Sequence, residues 1–279
     1  INRYLDNRFS FLLNYKRDNM LDCIILANPS NIRYFSDFVS SNACLLAIGD
    51  EIMIITDQRY RLELEEVDGR IVRKVVSDPH EILKNFFPHR PVAVGGDSDL
   101  PASQIGRSLL RSKSRPIDIT EAIDEFISIA DDETLSRFEY ANNVTKRIEQ
   151  NIPNLLIPGM REFELRATIS YFIHLSGCEE AFTPIVSFGT NTAKIHTEPS
   201  DRQLEKDSPV LIDFGVKYKG VSTDITRSFW FGKNPTEEYK KVMKIIKKSI
   251  KIAEKLCKPG KDTSKVYTAS KEYLESKHN

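Results

Sequence analysis

Apolar and polar positions follow two different rhythms along the chain, and short apolar runs dominate its first part. Five runs rich in Ile, Val and Leu have the length of β-strands, and the Gly49-Asp50 pair between two of them is typical of a hairpin. The runs span residues 23–27, 43–48, 52–56, 71–76 and 92–96. Residues 79–87 and 102–112 have helical patterns. Strands separated by helices predict a small α/β domain, which we place at residues 1–124.

The second part of the chain has the three- and four-residue apolar spacing of amphipathic helices. From Asp132 onward, after acidic residues suited to a helix start, five apolar residues share one predicted buried face. These are Leu135, Phe138, Ala141, Val144 and Ile148. A second helix follows from Arg161 and ends near Gly177, because glycine readily adopts the left-handed conformation that closes a helix. We expect residues 125–279 to form a domain of helices packed on strands.

A third helix is predicted over residues 236–260, where apolar side chains share one face and lysines occupy the others. The predicted buried side chains are Tyr239, Val242, Met243, Ile246, Ile250 and Ala253. The lysines could bind nucleic acid, but a solvated helix face is their more ordinary role. Because 40 basic and 40 acidic residues cancel, the chain as a whole has no general attraction for nucleic acid or an anionic membrane.

Residues 211–229, between the second and third helices, have the pattern of two strands that fold back at a turn. They read LIDFGVKYKGVSTDITRSF. A turn centred between Tyr218 and Lys219, with Gly220 easing it, makes Asp213 and Asp224 direct cross-strand partners. Both carboxylates then lie on one face of the hairpin.

Two facing carboxylates need a compensating cation, because like charges repel across a sheet and an unpaired buried charge costs free energy. An arginine, a proton or a metal could compensate them, but Arg227 lies on the opposite face. Their own face is small and polar, and Thr226 could support a ligand there. The pair suits a divalent, dinuclear metal centre. The alternative is two exposed aspartates on the solvent side of an ordinary hairpin.

The cysteines and the hydropathy of the chain indicate the cellular compartment in which the protein is expected. The four cysteines are scattered among apolar neighbours without a C-x-x-C pair, which indicates small buried residues in a reducing compartment. They are Cys23, Cys44, Cys178 and Cys257. No apolar run approaches a membrane span, and the first residues lack the apolar core of a signal peptide. We therefore expect a cytoplasmic protein.

Residues 31–60 and 184–229 resemble two parts of the creatinase/prolidase type metallopeptidases. Residues 31–60, NIRYFSDFVSSNACLLAIGDEIMIITDQRY, look like their amino-terminal domain. Residues 184–229 contain NTAKIHTEPSD and DFGVKYKGVSTDITRSF and are similar to the first half of their pita-bread catalytic domain. The resemblance is nearest to Xaa-Pro dipeptidases and Xaa-Pro aminopeptidases. It implies an α/β fold with a small amino-terminal domain followed by a pita-bread domain, the latter incomplete at its carboxy-terminal end.

The resemblance also implies a chemistry. It makes Asp213 and Asp224 the first two ligands of a site for two divalent ions, Mn, Co or Zn, and makes His196 the active-site histidine. A hydroxide bridging the ions would attack the Xaa-Pro bond at the amino end of a peptide, with His196 donating a hydrogen bond to the tetrahedral intermediate. Tyr218 and Thr226 match positions with supporting roles. The implied assembly is a homodimer.

The remaining histidines and the end of the chain depart from the family. His174 has no match and is expected on a helix surface, while His278 lacks the glycine-rich context of a ligand. The family's other ligands, a histidine in an H-x-x-G-H-G-like segment and two glutamates, fall beyond Asn279 in its layout. We expect that the sequence omits this segment and that these residues alone hold metal weakly or not at all.

Two alternatives to a proline-specific metallopeptidase stay open. One is a catalytically inactive creatinase-like binding module that truly lacks the later ligands. The other is a metal-free amidinohydrolase such as creatinase, which shares the fold and the histidine but is disfavoured by the two aspartates. Dipeptidase and aminopeptidase activities also both remain open. The gene sequence beyond Asn279 separates the enzyme from the module.

Overall fold

The chain is described from a computed structural model that covers residues 3–77, 92–99 and 114–277. The predicted helices at 79–87 and 102–112, and His278, lie outside the described residues. The chain divides into two compact units. Unit 1 comprises Ile1–Thr145, Gly177–Glu179 and Val216–Thr223, and unit 2 comprises Lys146–Ser176, Glu180–Gly215 and Asp224–Asn279.

The first elements of the chain alternate between strands and helices, as the apolar runs predict. They are α1 (Arg3–Asp18), β1 (Cys23–Leu26), α2 (Pro29–Ser36), β2 (Ala43–Ile48), β3 (Glu51–Thr56), a 3-10 turn (Gln58–Tyr60), α3 (Arg61–Glu65), β4 (Val72–Val75), β5 (Ala93–Gly96), β6 (Arg115–Asp118) and α4 (Thr120–Ser128). The six strands form one mixed sheet in the order β4-β3-β2-β1-β5-β6. All five predicted strand runs are confirmed, and the β2–β3 hairpin turns at Gly49-Asp50.

Both faces of this sheet are buried, which explains why its strands are continuous apolar runs rather than alternating ones. Ile24 and Ile54 pack into a large core on one face, together with Leu5 of α1 and Phe35 of α2. Ile25 and its neighbours on the opposite face form a smaller core with Cys23, Cys44, Leu46, Met53, Ile55, Val92 and Val94. The predicted α/β architecture of this part is confirmed.

The remaining elements contain the longer helices and a second set of strands. They are α5 (Asp132–Leu155), α6 (Glu162–Leu175), β7 (Glu179–Glu180), β8 (Ile185–Phe188), a 3-10 segment (Gly189–Ala193), β9 (Ser208–Phe214), β10 (Val216–Tyr218), β11 (Val221–Ser222), β12 (Ile225–Phe231), α7 (Glu237–Leu256) and α8 (Thr263–Glu275). The predicted helix start at Asp132 is confirmed, and Gly177, two residues after α6, has the left-handed φ of 69°.

In unit 2, β12, β9 and β8 form an antiparallel sheet with β9 in the centre. Ile212 and Phe214 of β9 are fully buried on one face, on the same side as Val186 of β8. Helix α6 contacts β8 and buries Leu165, Ile169 and Ile173 along a single stripe. Asp213 lies between Ile212 and Phe214, so alternation turns it to the opposite face of the sheet.

Two predicted buried faces are only partly buried. In α5, Ala141, Val144 and Ile148 are buried, but Leu135 and Phe138 are 49% and 43% exposed. The prediction is wrong for these two residues, because apolar spacing identifies a helical stripe without showing how far along the helix a partner covers it.

The predicted apolar face of α7 is also less buried than its pattern suggests. Val242, Ile246 and Ile250 are exposed, which corrects the prediction that the whole stripe is covered. Among the described residues, α7 packs on α8 at the Ser249–Ser270 hydroxyl contact and on β12 through Tyr239 and Trp230. These contacts cover only part of the stripe. Its lysines are exposed, as expected.

Cysteine burial matches the prediction at three of the four positions. Cys23, Cys44 and Cys178 are buried, whereas Cys257 is exposed at the carboxyl end of α7. The expectation of burial is therefore wrong for Cys257. Within the described segments, no helix combines the length and the apolar character that crossing a membrane requires.

Candidate metal centre

The register between β9 and β12 places Asp213 opposite Thr226, and Phe214 opposite Ile225. The predicted direct pairing of Asp213 with Asp224 is therefore wrong. The reason lies in the turn, where Tyr218 pairs with Val221 and both residues between them have positive φ, 46° at Lys219 and 89° at Gly220. A two-residue hairpin turn of this type needs positive φ at both central positions, and glycine adopts it without steric cost.

Asp224 nevertheless shares a face with Asp213. It lies two residues before Thr226, the partner of Asp213, so alternation puts it diagonally across from Asp213 on the same side of the sheet. Partial burial and then the negative charge of Asp224 raise the pKa of Asp213 above its ordinary value, although a Thr226 hydrogen bond and the His196 charge oppose this. The prediction that the two carboxylates lie close together on one face is confirmed.

Thr226 contacts Asp213 directly. Its hydroxyl donates a 2.9 Å hydrogen bond to Oδ1 of Asp213. Arg227, the next residue, points to the other face and forms an ion pair with Glu149. The alternation predicted for this strand is confirmed, and Arg227 does not compensate the aspartates.

His196 lies in the loop that follows the 3-10 segment Gly189–Ala193, and its side chain is exposed. It lines one cleft of about 470 Å³ together with both aspartates. The complete lining is Phe182, Thr183, Pro184, Ile185, His196, Thr197, Glu198, Pro199, Asp213 and Asp224. The structure thus brings together the three residues singled out from the sequence. A cleft of this size is in the ordinary range for small-ligand sites.

Comparison with known proteins identifies the family of the chain. Residues 136–279 match the model of metallopeptidase family M24, and residues 8–126 match the creatinase/prolidase N-terminal domain. The chain belongs to metallopeptidase family M24. The resemblance noted in the sequence, and the prediction of a metallopeptidase, are confirmed. The exact domain boundary at residue 124 stays a prediction.

Individual M24 relatives cover most of the chain. An Xaa-Pro dipeptidase of Pyrococcus furiosus is 25% identical over 276 residues, which cover 97% of this chain and 78% of the relative. An uncharacterized peptidase of Staphylococcus saprophyticus is 31% identical over 258 residues, which cover 88% of this chain and 71% of the relative.

The fold is shared with solved prolidase structures. The prolidase from Pyrococcus horikoshii superposes with a TM-score of 0.88 at 21% identity and covers 98% of this chain and 78% of that one. The predicted fold class, a small creatinase-type α/β domain followed by a pita-bread domain, is confirmed.

Membership in family M24 implies divalent metal ions, and the two aspartates suit them. Within the described residues neither carboxylate forms an ion pair with a lysine or arginine, and the positive charge that acts on Asp213 there comes from His196. Carboxylate oxygens are ordinary ligands of Mn²⁺ and Zn²⁺. Over the same described residues, no group of three or more His, Cys, Asp or Glu is placed to hold an ion. Asp213 and Asp224 alone therefore supply only some of the ligands that a metal ion needs.

Two other residues from the sequence reasoning lie elsewhere. His174 is exposed in the last turn of α6, as expected. Tyr218 belongs to unit 1, where its ring packs on Tyr140 with 4.2 Å between centroids. Neither residue lines the cleft of Asp213.

Sequence reasoning missed Glu162, the first residue of α6, which is completely buried. Its carboxylate accepts hydrogen bonds from the segments on both sides of the His196 loop. A glutamate in the first turn of a helix is ordinary, because negative charge is favourable there. Nothing in the sequence distinguished Glu162 from Glu164, which lies exposed in the same turn.

Proposed function

We propose that the chain hydrolyses the Xaa-Pro peptide bond at the amino end of peptides, with divalent ions held by Asp213 and Asp224. The observation that carries the proposal is the cleft that both carboxylates share with His196, in a chain that belongs to family M24. The name of the Pyrococcus furiosus relative, an Xaa-Pro dipeptidase, supports the substrate class.

Four polar residues fill three roles in this proposal. Asp213 and Asp224 would hold Mn²⁺, Co²⁺ or Zn²⁺ through carboxylate oxygens, and Thr226 would keep the Asp213 carboxylate in its orientation. Bound divalent ions would supply an activated water as nucleophile and would polarise the scissile carbonyl. His196 would donate a hydrogen bond to the carbonyl oxygen as negative charge develops on it.

The wall of the cleft supports a substrate with a proline ring. Phe182, Pro184 and Ile185 line it beside the carboxylates and offer apolar surface for the ring to pack against. Proline also lacks the backbone N–H that many peptide-binding sites use, so packing has to replace that hydrogen bond.

The direct test is hydrolysis of matched peptides by the full-length protein. We expect cleavage of Ala-Pro or Ala-Pro-Ala but not of Ala-Ala or Ala-Ala-Ala, loss of cleavage after chelation, and recovery on adding back Mn²⁺, Co²⁺ or Zn²⁺. Comparison of Ala-Pro with Ala-Pro-Ala then separates a dipeptidase from an aminopeptidase. Cleavage that survives chelation would contradict the metal-dependent reaction, and absence of cleavage with every ion would favour a binding module.

The metal ligands are tested by Asp213→Asn, which removes the charge of the carboxylate and changes its shape little. Hydrolysis and metal content should both be lost while the far-ultraviolet circular dichroism stays unchanged. Asp201→Asn, at an exposed aspartate outside the cleft, is the matched control. Normal turnover in Asp213→Asn would refute the ligand assignment. A homodimer belongs to the same proposal on the strength of the resemblance, and light scattering tests it.

A further inference from the structure

Residues 189–199 form a compact loop that carries His196 and whose two flanking residues meet at one side chain. The backbone N–H of Phe188, just before the loop, donates to Oε1 of Glu162 at 2.7 Å. The backbone N–H of Ser200, just after it, donates to Oε2 of the same carboxylate at 2.8 Å. We call this arrangement the neck of the loop. A single carboxylate therefore holds both ends of an eleven-residue loop.

Further donors complete the coordination of Glu162. Asn191 Nδ2 lies 3.0 and 3.2 Å from its two oxygens, and the Ser200 hydroxyl donates at 2.6 Å. Burial acts to raise the pKa of Glu162, but hydrogen bonds from Ser200, Phe188 and Asn191 outweigh it and hold the pKa below its ordinary value. The buried carboxylate is thus charged, and hydrogen-bond donors rather than a cation stabilise it.

The tip of the loop has little else to fix it. Ile195, next to His196, is 84% exposed, and His196 itself is exposed. The first part of the loop, Gly189–Ala193, packs on β8 and β9, and Arg202 donates to the Thr190 hydroxyl there at 2.8 Å. Around His196 itself, the side-chain contact is at the surface, where Arg166 pairs with the largely exposed Glu198 at 3.2 Å. Exposed ion pairs of this kind contribute little stability. The neck is therefore the buried polar contact of the loop, whereas the contact at its tip is exposed.

We propose that Glu162 is a positioning residue that sets the place of His196 in the cleft by closing the neck of the 189–199 loop. The inference rests on the proposed function for its catalytic consequence, but the closure of the neck stands independently of it. Glu162 does not line the cleft, so it acts through the loop rather than on the substrate.

The first experiment measures the loop without any metal or substrate. Glu162→Gln keeps one acceptor oxygen but turns the other into an NH2 group that faces N–H donors, so one end of the neck opens. Because Lys194 lies exposed within the loop, trypsin reports the opening as cleavage after this residue, followed by mass spectrometry. We expect cleavage at Lys194 to be about tenfold faster or more, since a charge-assisted hydrogen bond is lost.

Glu164→Gln is the matched control. Glu164 lies in the same helical turn, and its carboxylate accepts from the Arg161 backbone N–H at 2.7 Å but does not contact the loop. It should leave cleavage at Lys194 unchanged. If Glu162→Gln fails to fold, Ser200→Ala is the second variant. It removes the hydroxyl that donates to Glu162 and accepts from the Arg202 N–H, but it keeps the Ser200 backbone N–H, so it should accelerate cleavage by a smaller factor. An unchanged cleavage rate in folded Glu162→Gln would show that Glu162 does not close the neck of the loop.

The second experiment separates a positioning role from a merely structural one. In the metal-loaded full-length protein, Glu162→Gln should lower kcat by about ten- to a hundredfold with little change in KM or metal content, because His196 is displaced and the cleft is not. In the His196→Ala background, the same substitution should have almost no further effect on kcat. If Glu162→Gln lowers kcat by the same factor in the His196→Ala background as in the wild type, Glu162 does not act through His196 and the positioning role is refuted. If His196→Ala itself leaves kcat intact, the role of His196 in the proposed function fails, while the trypsin result for the neck still stands.

Discussion

The hydroxyl of Thr226 and the carboxylate of Asp213 are joined by a 2.9 Å hydrogen bond across the β9–β12 ladder, where the two residues are direct partners. The bond engages Oδ1 of Asp213 and fixes the orientation of the carboxylate, which leaves Oδ2 without a hydrogen bond from Thr226. Asp224 receives no such hydrogen bond among the described residues. The carboxylate of Asp213 is therefore oriented by its ladder partner, whereas Asp224, one residue before β12, has no such partner in the described part of the chain.

We predict that Thr226→Val weakens metal binding by about ten- to a hundredfold, the usual effect of losing a group that orients a ligand. Valine keeps the shape of threonine and its preference for strands, so the fold should be retained. Calorimetric titration of the full-length protein with Mn²⁺ measures the change. Ser228→Ala, which removes a hydroxyl from the next residue on the same face, serves as control and should bind Mn²⁺ normally. Equal affinities in all three proteins would show that the Thr226 bond does not matter.

His196→Ala should lower kcat for an Xaa-Pro substrate by on the order of a hundredfold or more, because one donor to the developing negative charge is removed. Metal content should be unchanged, since the histidine is not assigned as a ligand. His174→Ala, at an exposed histidine of α6, should behave as wild type in both measurements. Loss of metal in His196→Ala would mean that its role is ligation rather than hydrogen bonding.

The hairpin shows how far the sequence determines such a site. The turn lies one residue later than predicted, between Lys219 and Gly220, because only there does glycine occupy a central position that requires positive φ. A one-residue shift of the turn moves the pairing by two residues. Because side chains alternate with a period of two, Asp213 acquires Thr226 as partner but keeps Asp224 on its face. The sequence thus predicts correctly that Asp213 and Asp224 share one face of the hairpin, but not that Thr226 is the cross-strand partner of Asp213.

Other features depend on contacts that no local pattern specifies. The spacing of Val242, Ile246 and Ile250 predicts a helix correctly but does not show which surface covers them. The buried carboxylate of Glu162 depends on Phe188 and Ser200, which are 26 and 38 residues away. Its role became visible only when the fold brought these backbone groups to it.

In unit 1, the buried side chain of Arg8 forms an ion pair with the partly exposed Asp131. Its guanidinium is 1% exposed and donates to both oxygens of Asp131, at 2.8 Å from Nε and 3.0 Å from Nη2, and to the hydroxyl of Thr134 at 3.2 Å. It also donates to the carbonyl of Tyr34 and lies over that ring, 3.8 Å from its centroid. Planar, five-donor geometry of this kind is available to arginine but not to lysine.

Arg8→Lys should therefore lower the free energy of unfolding by about 2 kcal/mol, because lysine keeps the charge but leaves buried acceptors without donors. Urea titration followed by circular dichroism measures the loss. Arg17→Lys, at an exposed arginine of the same helix, should change stability by less than about 0.5 kcal/mol. If the two substitutions cost the same, the forked hydrogen bonds of Arg8 contribute nothing beyond charge.

The last prediction concerns the pH dependence of the neck. The folded protein holds the pKa of Glu162 below its ordinary value, so the ionised carboxylate stabilises the fold above the unfolded-state pKa of about 4.3. That stabilisation is lost as the pH falls through the lower, folded pKa. Replacing Glu162 by glutamine should thus cost about 1.5–3 kcal/mol of unfolding free energy at neutral pH, and progressively less below about pH 4.

Urea titrations of wild type and Glu162→Gln at pH 7, 5, 4 and 3 measure this convergence. The wild-type advantage should be nearly constant between pH 7 and 5, since the carboxylate is ionised in both the folded and the unfolded state there. Below about pH 4 the unfolded chain takes up the proton first, so the advantage shrinks because only the folded state keeps the charge. Glu164→Gln, which removes an exposed carboxylate of the same turn, should cost less at neutral pH. A wild-type advantage that is the same at pH 3 as at pH 7 would mean that uncharged hydrogen bonds, rather than the ionised carboxylate, close the neck.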